Sequence, residues 1–196
     1  MRNAAARMSA LIEDILSFSR VSSKGREFVN VDLKTIATEV VNDLEVRIGD
    51  TGAKVEIGQL PIIQADAMQM RQLLQNLIAN AIKFHREGVP PIIKISSVTE
   101  VVEIDQIDKH AKLKYCRVEI KDNGLGFDEK YLDRIFAVFQ RLHNRESYEG
   151  TGIGLAVCRK IVERHSGTIT ATSKLGSGST FIISLPIHHK KGEELL

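Results

Sequence analysis

The chain has 196 residues, 43% hydrophobic and 27% charged, which suits a globular protein with room for one good core. Its formal net charge is +2 with acidic and basic residues interspersed, and no basic stripe runs along a helix face, so nucleic acid is not an expected partner. No apolar run approaches the roughly 18 residues of a membrane span and the first residues do not resemble a signal peptide, so the expectation is a cytoplasmic segment, whatever the fate of a longer, membrane-associated parent.

Residues 1 to 22 carry Met8, Leu11, Ile15 and Phe18 at alternating steps of three and four, a heptad seam that Ile12 and Leu16 widen. Such a stripe needs partners on more than one side, which predicts a helix of a bundle, and Ser22-Ser23-Lys24-Gly25 reads as a hinge. Next, Asp32 is placed to cap a helix with Leu33, Ile36, Val40 and Leu44 inward. Gly49 to Gly52 reads as a turn, followed by a short strand at Val55 and Ile57. Asp66 is placed to cap a second helix reaching to about Glu87.

Val- and Ile-rich strands follow at 92–103 and 113–122, with the polar Asp105 to Lys112 stretch as a hairpin loop. A third helix is expected from Leu155 to His165-Ser166-Gly167, with Gly167 as its C-terminal cap. Strands at 168–173 and 179–185 flank a Gly176-Ser177-Gly178 turn. Antiparallel strands with helices on one face predict an α+β fold, a two-layer α/β sandwich preceded by one bundle-forming helix. Cys116 and Cys158 have no pairing or metal-ligand spacing and read as reduced core thiols.

Chemistry concentrates in four segments. On the helix after Asp66, at about 100° per residue, Asn76, Asn80 and Lys83 share one narrow wedge opposite Leu74, Leu77, Ile78 and Ala81. An Asn carbonyl is a neutral hard ligand for Mg²⁺ and Lys83 can neutralise phosphate charge; the bland alternative is a wet polar face. Asp122 ends a strand, where a carboxylate can accept a hydrogen bond from an exocyclic amine, and Gly124 and Gly126 allow close backbone approach to a flat base; the alternative is a plain Asp-Asn-Gly turn. Gly150-Thr151-Gly152-Ile153-Gly154-Leu155 runs straight into a helix, where backbone amides can make an anion site without a basic side chain; the alternative is a flexible loop before a helix. It is neither a P-loop nor a dinucleotide fingerprint. Between these lie Phe136 and Phe139, an anchor for a mobile flap or simply two core aromatics, then Arg141, placed to reach phosphate, and the polar stretch His143 to Glu149.

In this order and spacing, the segments closely resemble the catalytic ATP-binding domain of bacterial sensor histidine kinases, in the superfamily that holds gyrase B, MutL and heat-shock chaperone ATPases. The resemblance covers about residues 28 to 187, and the stretches Phe139-Gln-Arg141-Leu-His and Tyr148 to Gly152 look like the phytochrome-type branch. It implies a Bergerat-type fold and ATP with Mg²⁺ as ligands. Asn80 matches the family's Mg²⁺ ligand, and Asn76 and Lys83 match its partners at the phosphates. Phe84 falls where the family places an aromatic near the base. Asp122, with Gly124 and Gly126, matches the adenine-reading box, with Thr180 as helper through water. Phe136 and Phe139 match the lid anchor, Arg141 a γ-phosphate contact, and Gly150 to Leu155 the phosphate loop. Asn76, Lys83 and Arg141 are the expected catalytic set.

Residues 1–25 resemble the second helix and linker of the dimerisation and phosphoacceptor domain, leaving 26–188 as the catalytic domain and 189–196 as a tail. The phosphoacceptor motif itself, His followed by an acid, a basic residue and Pro, is absent from residues 1–196. The implied activity is therefore phosphorylation of a histidine on another helix of the parent, with the fragment alone unable to phosphorylate itself. The implied partners are that helix, a response-regulator receiver domain and, through the first helix, a second copy. Where superfamily hydrolases keep a Glu, Asn76 offers an amide that cannot act as general base, which favours transfer over hydrolysis. Two rival readings are a serine kinase of the anti-sigma-factor type and a non-catalytic nucleotide-binding or dimerisation module.

Overall fold

The computed structural model describes residues 2–23, 26–106, 109–140 and 151–189. Helix α1 (Arg2–Ser23) splits its apolar stripe: Leu11, Phe18 and Val21 pack inward, Val21 buried, whereas Met8, Ile12, Ile15 and Leu16 stay exposed. Asp32 caps α2 (Leu33–Asp43), accepting the Lys34 N–H at 2.9 Å and the Thr35 hydroxyl at 2.8 Å, and Leu33, Ile36, Val40 and Leu44 are buried as the periodicity predicts. The expected turn at Gly49 to Gly52 is instead the end of a short helix, α3 (Glu45–Thr51). Gly49 weakens a helix by about 1 kcal/mol but does not forbid one, and only Gly52, at φ 64°, leaves it.

Five strands form one sheet in the order β2 (Lys54–Ile57), β4 (Ile92–Gln106), β5 (Lys109–Asp122), β7 (Gly178–Pro186), β6 (Thr168–Lys174). The β2–β4 pair is parallel, contrary to the antiparallel expectation, because the chain between them crosses through a helix, α4 (Ala67–Lys83). Two strands of four residues each, β1 (Val29–Asp32) and β3 (Ile62–Ala65), pair separately. The β4–β5 ladder runs on through Glu103↔Lys112 to Gln106↔Lys109, so much of the predicted polar loop is strand. A polar composition does not prevent a two-stranded ladder whose bonds are made by the backbone.

Helices α2, α4 and α6 (Gly154–Arg164) cover one face of the sheet, over a core of Ile93, Ile95, Val118, Ile120, Phe181, Ile183 and Leu185. The opposite face carries Lys94–Glu56 and Arg117–Glu119 pairs, worth little to stability because they are exposed. A single 3-10 turn (Glu129–Tyr131) and α5 (Leu132–Ile135) lead out of the β5 end. Helix α4 is capped by Asp66, which accepts the Met68 and Gln69 N–H groups, and it stops at Lys83, four residues short of expectation. Helix α6 ends with the Ser166 N–H on Glu163 O and the Gly167 N–H on Val162 O, both at 2.9 Å. The left-handed residue is Ser166 (φ 54°), not Gly167; a Cβ on Gly167 would instead lie 2.4 Å from Ser184 O.

The linker after α1 is gripped by buried polar groups. Gln69 Nε2 donates to Val21 O at 3.1 Å, the Arg26 N–H donates to Asp66 at 2.8 Å, and Arg164 donates to Gln69 at 2.9 Å and to Arg26 O at 2.9 Å. Further back along α1, Ser17 meets Gln72, Phe18 lies 4.2 Å under the Lys160 ammonium, and Asp14 accepts the Thr151 hydroxyl.

Beside this cluster His165 is 1% exposed, its Nδ1–H donating to Ile161 O at 2.7 Å and its Nε2 accepting the Asp66 N–H at 3.0 Å, with Phe28 stacked on the ring at 4.5 Å. Burial, helped by Arg164 and His189, lowers its pKa to about 4. The unfolded chain binds a proton there near pH 6.5 and the folded one does not, so stability is full above pH 6.5 and falls as pH drops toward 4. The expected loss is up to about 3 kcal/mol, and His165→Gln should flatten that part of the melting-temperature profile; an unchanged slope would refute the assignment.

Candidate functional site

The polar wedge of α4 is real: Asn76, Asn80 and Lys83 are half-buried, and Leu77, Ile78 and Ala81 behind them are buried. Asn76 Nδ2 donates to Gly154 O at 3.4 Å, at the first residue of α6. The Lys83 ammonium lies 4.4 Å from the centre of the Phe84 ring. Phe84 closes the helix, and its carbonyl accepts the Leu125 N–H at 2.8 Å. One helix thus touches the glycine loop at its middle and the Asp122 loop at its end.

Asp122 is the last residue of β5. Its Oδ1 accepts the Gly124 N–H at 2.8 Å and the Ser179 N–H at 3.2 Å, and no described residue hydrogen-bonds to Oδ2. Burial raises the carboxyl pKa, and those two N–H groups pull it back. The loop is too tight for side chains. A Cβ on Gly124 would sit 2.3 Å from Phe84 O, and one on Gly126, already at φ 63°, would sit 2.2 Å from Lys174 O. Asn123 fastens the loop to the start of β4, accepting the Ile92 N–H at 2.8 Å and donating to Pro90 O at 3.2 Å.

Thr180 makes no direct hydrogen bond to this carboxylate, although both residues border one cleft. It pairs with Lys121 in the ladder and lies on the sheet face away from the helices, whereas Ser179, 8% exposed, lies on the inner face with Phe181 and gives its N–H to Asp122. Sequence reasoning missed Ser179, and with it Gly178, where a Cβ would meet Asp122 O at 2.1 Å. The signal was available: with Phe181 inward, a period of two puts Ser179 inward and Thr180 outward.

Helix α6 begins at Gly154 with Ile153 as cap residue and no side-chain cap, so no described side chain caps its first-turn amides. Gly152 turns at φ 78°, and its carbonyl accepts the Phe139 N–H at 3.0 Å. Thr151 Oγ1 accepts the Ile153 N–H at 3.4 Å; Ile153 itself is buried, and Leu155 packs on the core. The two phenylalanines separate. Phe136 is core, edge-on to Phe181 at 6.4 Å and under Arg159 at 4.7 Å, while Phe139 is 57% exposed with φ 63°. Arg141 and Gly150 lie outside the described residues.

The arrangement offers neutral amides, one ammonium, an open helix N-terminus and a half-buried carboxylate, a ligand set for a polyphosphate at one end and an amino-bearing ring at the other. No group of three or more His, Cys, Asp or Glu residues suited to a metal ion occurs among the described residues.

Residues 65–189 match the family model of the histidine kinase-, DNA gyrase B- and HSP90-like ATPases. The phytochrome-like protein Cph1 of Synechocystis sp. is 38% identical over 180 residues, 92% of this chain and 22% of that protein. Sensor protein kinase WalK of Staphylococcus epidermidis is 30% identical over 94% of this chain and 29% of its own length. Full-length ShkA in complex with AMPPNP superposes with a TM-score of 0.70 at 25% identity, covering 94% of this chain and 37% of that one. The catalytic domain of histidine kinase ThkA gives 0.64 at 27% identity, covering 84% of this chain and 100% of that domain. The chain spans about a fifth of the length of the phytochrome relatives (22% and 23% for the first two).

Proposed function

The chain belongs to the histidine kinase-, DNA gyrase B- and HSP90-like ATPase family, and on that premise we propose that residues 26–188 are the ATP-binding catalytic domain of a sensor histidine kinase in two-component signalling. One observation carries the reading: the amide and ammonium face of α4 is bounded at one end by the Asp122 loop and at the other by the uncapped start of α6. Asp122 Oδ2 accepts from the adenine amine, with the Ser179 backbone holding the carboxylate in place. Phe84, Gly124 and Gly126 flank the base. The amides of Gly152, Gly154 and Leu155 bind phosphate oxygens, and Lys83 neutralises their charge. Arg141, Gly150 and the lid role of Phe136 and Phe139 rest on the resemblance alone.

Mg²⁺ fits the residues present: with no cage of carboxylates among the described residues, it would be held by the Asn80 carbonyl, phosphate oxygens and water. When bound, it withdraws charge from the phosphates during transfer. Transfer asks the protein mainly for placement and charge neutralisation. Asn76, anchored to Gly154 O and unable to accept a proton from water at neutral pH, leaves hydrolysis without a base and suits a nucleophile brought by a partner.

That nucleophile is a histidine on a helix of the parent protein, and the phosphate passes on to a receiver domain. The exposed Met8, Ile12, Ile15 and Leu16 of α1 suit pairing with a second copy. No described helix is long and apolar enough to cross a membrane, and a cytoplasmic site of action accords with the use of ATP. Incubation with γ-labelled ATP and a separately supplied phosphoacceptor domain tests the activity. Acid-labile label on the partner is expected; label on serine, or binding without transfer, would overturn the reading.

Asp122→Asn separates recognition from stability. The raised pKa means the folded state holds this proton more tightly than the unfolded one, so ionisation destabilises the domain as pH rises above the ordinary carboxylate range. The amide keeps an acceptor for the Gly124 and Ser179 N–H groups but turns an NH₂ toward the base. The expected result at pH 7 is a higher melting temperature without nucleotide and ATP affinity weakened at least about tenfold, read by calorimetry. Unaltered affinity would remove Asp122 from the base site.

A further inference from the structure

Arg86 has no role in the site so far, yet it joins the two backbone segments that frame Asp122. Its Nε donates to Asn123 O at 3.0 Å, and its NH1 donates to Gly176 O at 3.3 Å, in the turn between β6 and β7. Around this guanidinium the same two segments are already pressed together. The Gly176 N–H donates to Leu125 O at 2.6 Å, and Cβ atoms on Gly126 and Gly178 would fall within 2.2 Å of the facing backbone. Asn123 and Gly178 are the immediate neighbours of Asp122 and Ser179, the residues whose carboxylate and N–H define the base end. A planar guanidinium is suited to this task, because it presents two donors in fixed relation to two separate carbonyls.

We infer that Arg86 is a positioning residue for base recognition: it sits just beyond the C-terminus of α4 and fixes the Asp122 loop against the β6–β7 turn, so that the carboxylate meets the purine in one geometry. The inference rests on the ATP-binding reading above. It gives the base end a support that the phosphate end, built on α6 and the middle of α4, does not share. A defect at Arg86 therefore falls on the nucleoside and leaves the phosphates alone.

The test is titration of the full chain by calorimetry with Mg-ATP and, separately, with Mg-tripolyphosphate, which has no base. Arg86→Gln is expected to weaken ATP about tenfold, the size of one charge-assisted hydrogen bond, and to leave tripolyphosphate unchanged. Arg86→Lys, which keeps the charge and one donor, is expected to recover part of the ATP affinity. Equal weakening of both ligands would show a merely structural role and overturn the inference, as would unaltered ATP affinity. Should Arg86→Gln not fold, Arg86→Lys carries the same comparison, with the loss again confined to ATP. A wild-type chain that binds tripolyphosphate but not ATP would instead overturn the reading on which the inference rests.

Discussion

Asn80→Ala is expected to abolish Mg-dependent ATP binding, with affinity weakened at least about a hundredfold, or roughly 3 kcal/mol. Asn80 is half-buried and its side-chain amide hydrogen-bonds to no described residue, whereas that of Asn76 is committed to Gly154 O. Alanine is the best helix former, and the neighbours Leu77 and Ala81 that hold α4 in the core are untouched, so the melting temperature should not fall. Loss of affinity in a protein of full stability would locate the defect at the metal. Chelating Mg²⁺ should bring the wild-type chain to the same weak affinity and leave the variant unmoved. Equal sensitivity of the two proteins to chelation would sink the assignment.

The second large effect is on folding. At Gly126→Ala the new Cβ meets two constraints together: φ is +63°, and the space is occupied by Lys174 O at 2.2 Å and Gly178 O at 2.9 Å. Both obstacles are backbone, so relief requires the β6–β7 turn to move away from the Asp122 loop. A loss of about 3 kcal/mol or more is expected, a melting temperature lower by about 10 °C for a domain of this size. Gly49→Ala is the control. It lies within α3, has nothing within 4 Å of its Cβ and should raise stability by about 1 kcal/mol at most. If both substitutions were neutral, the packing of the Asp122 loop against the turn would be wrong.

What could be read from the sequence depended on the range of the interaction responsible. Asp32 and Asp66 act on N–H groups two or three residues away, and both caps are as expected. The wedge of Asn76, Asn80 and Lys83 needs only the helical period. By contrast β1 and β3 pair only with each other, across α2 and the chain after it, and that pairing is what makes them strands. The parallel β2–β4 pair depends on a crossover that no local pattern encodes. Ser166 adopts a left-handed conformation beside a glycine that would accept it more easily, because that glycine is needed where Ser184 O approaches. Ser179 is a different case: strand alternation from Phe181 pointed to it without any tertiary knowledge. Phe136 and Phe139 share a residue type and a segment, and only packing separates the buried ring from the exposed one.

Helix α1 meets the rest of the chain along the stretch from Asp14 to Val21. Near its end Val21 O is held by Gln69, and one heptad earlier Asp14 holds the Thr151 hydroxyl. Seven residues of helix separate the two by about 10 Å along the axis. A rod fastened at two such points cannot swing about the linker without first letting go of one. Between them Ser17 meets Gln72 and Phe18 lies under Lys160, so the line of contact is continuous. Displacing α1 therefore disturbs Thr151, in the loop that opens α6, together with Gln69 on α4.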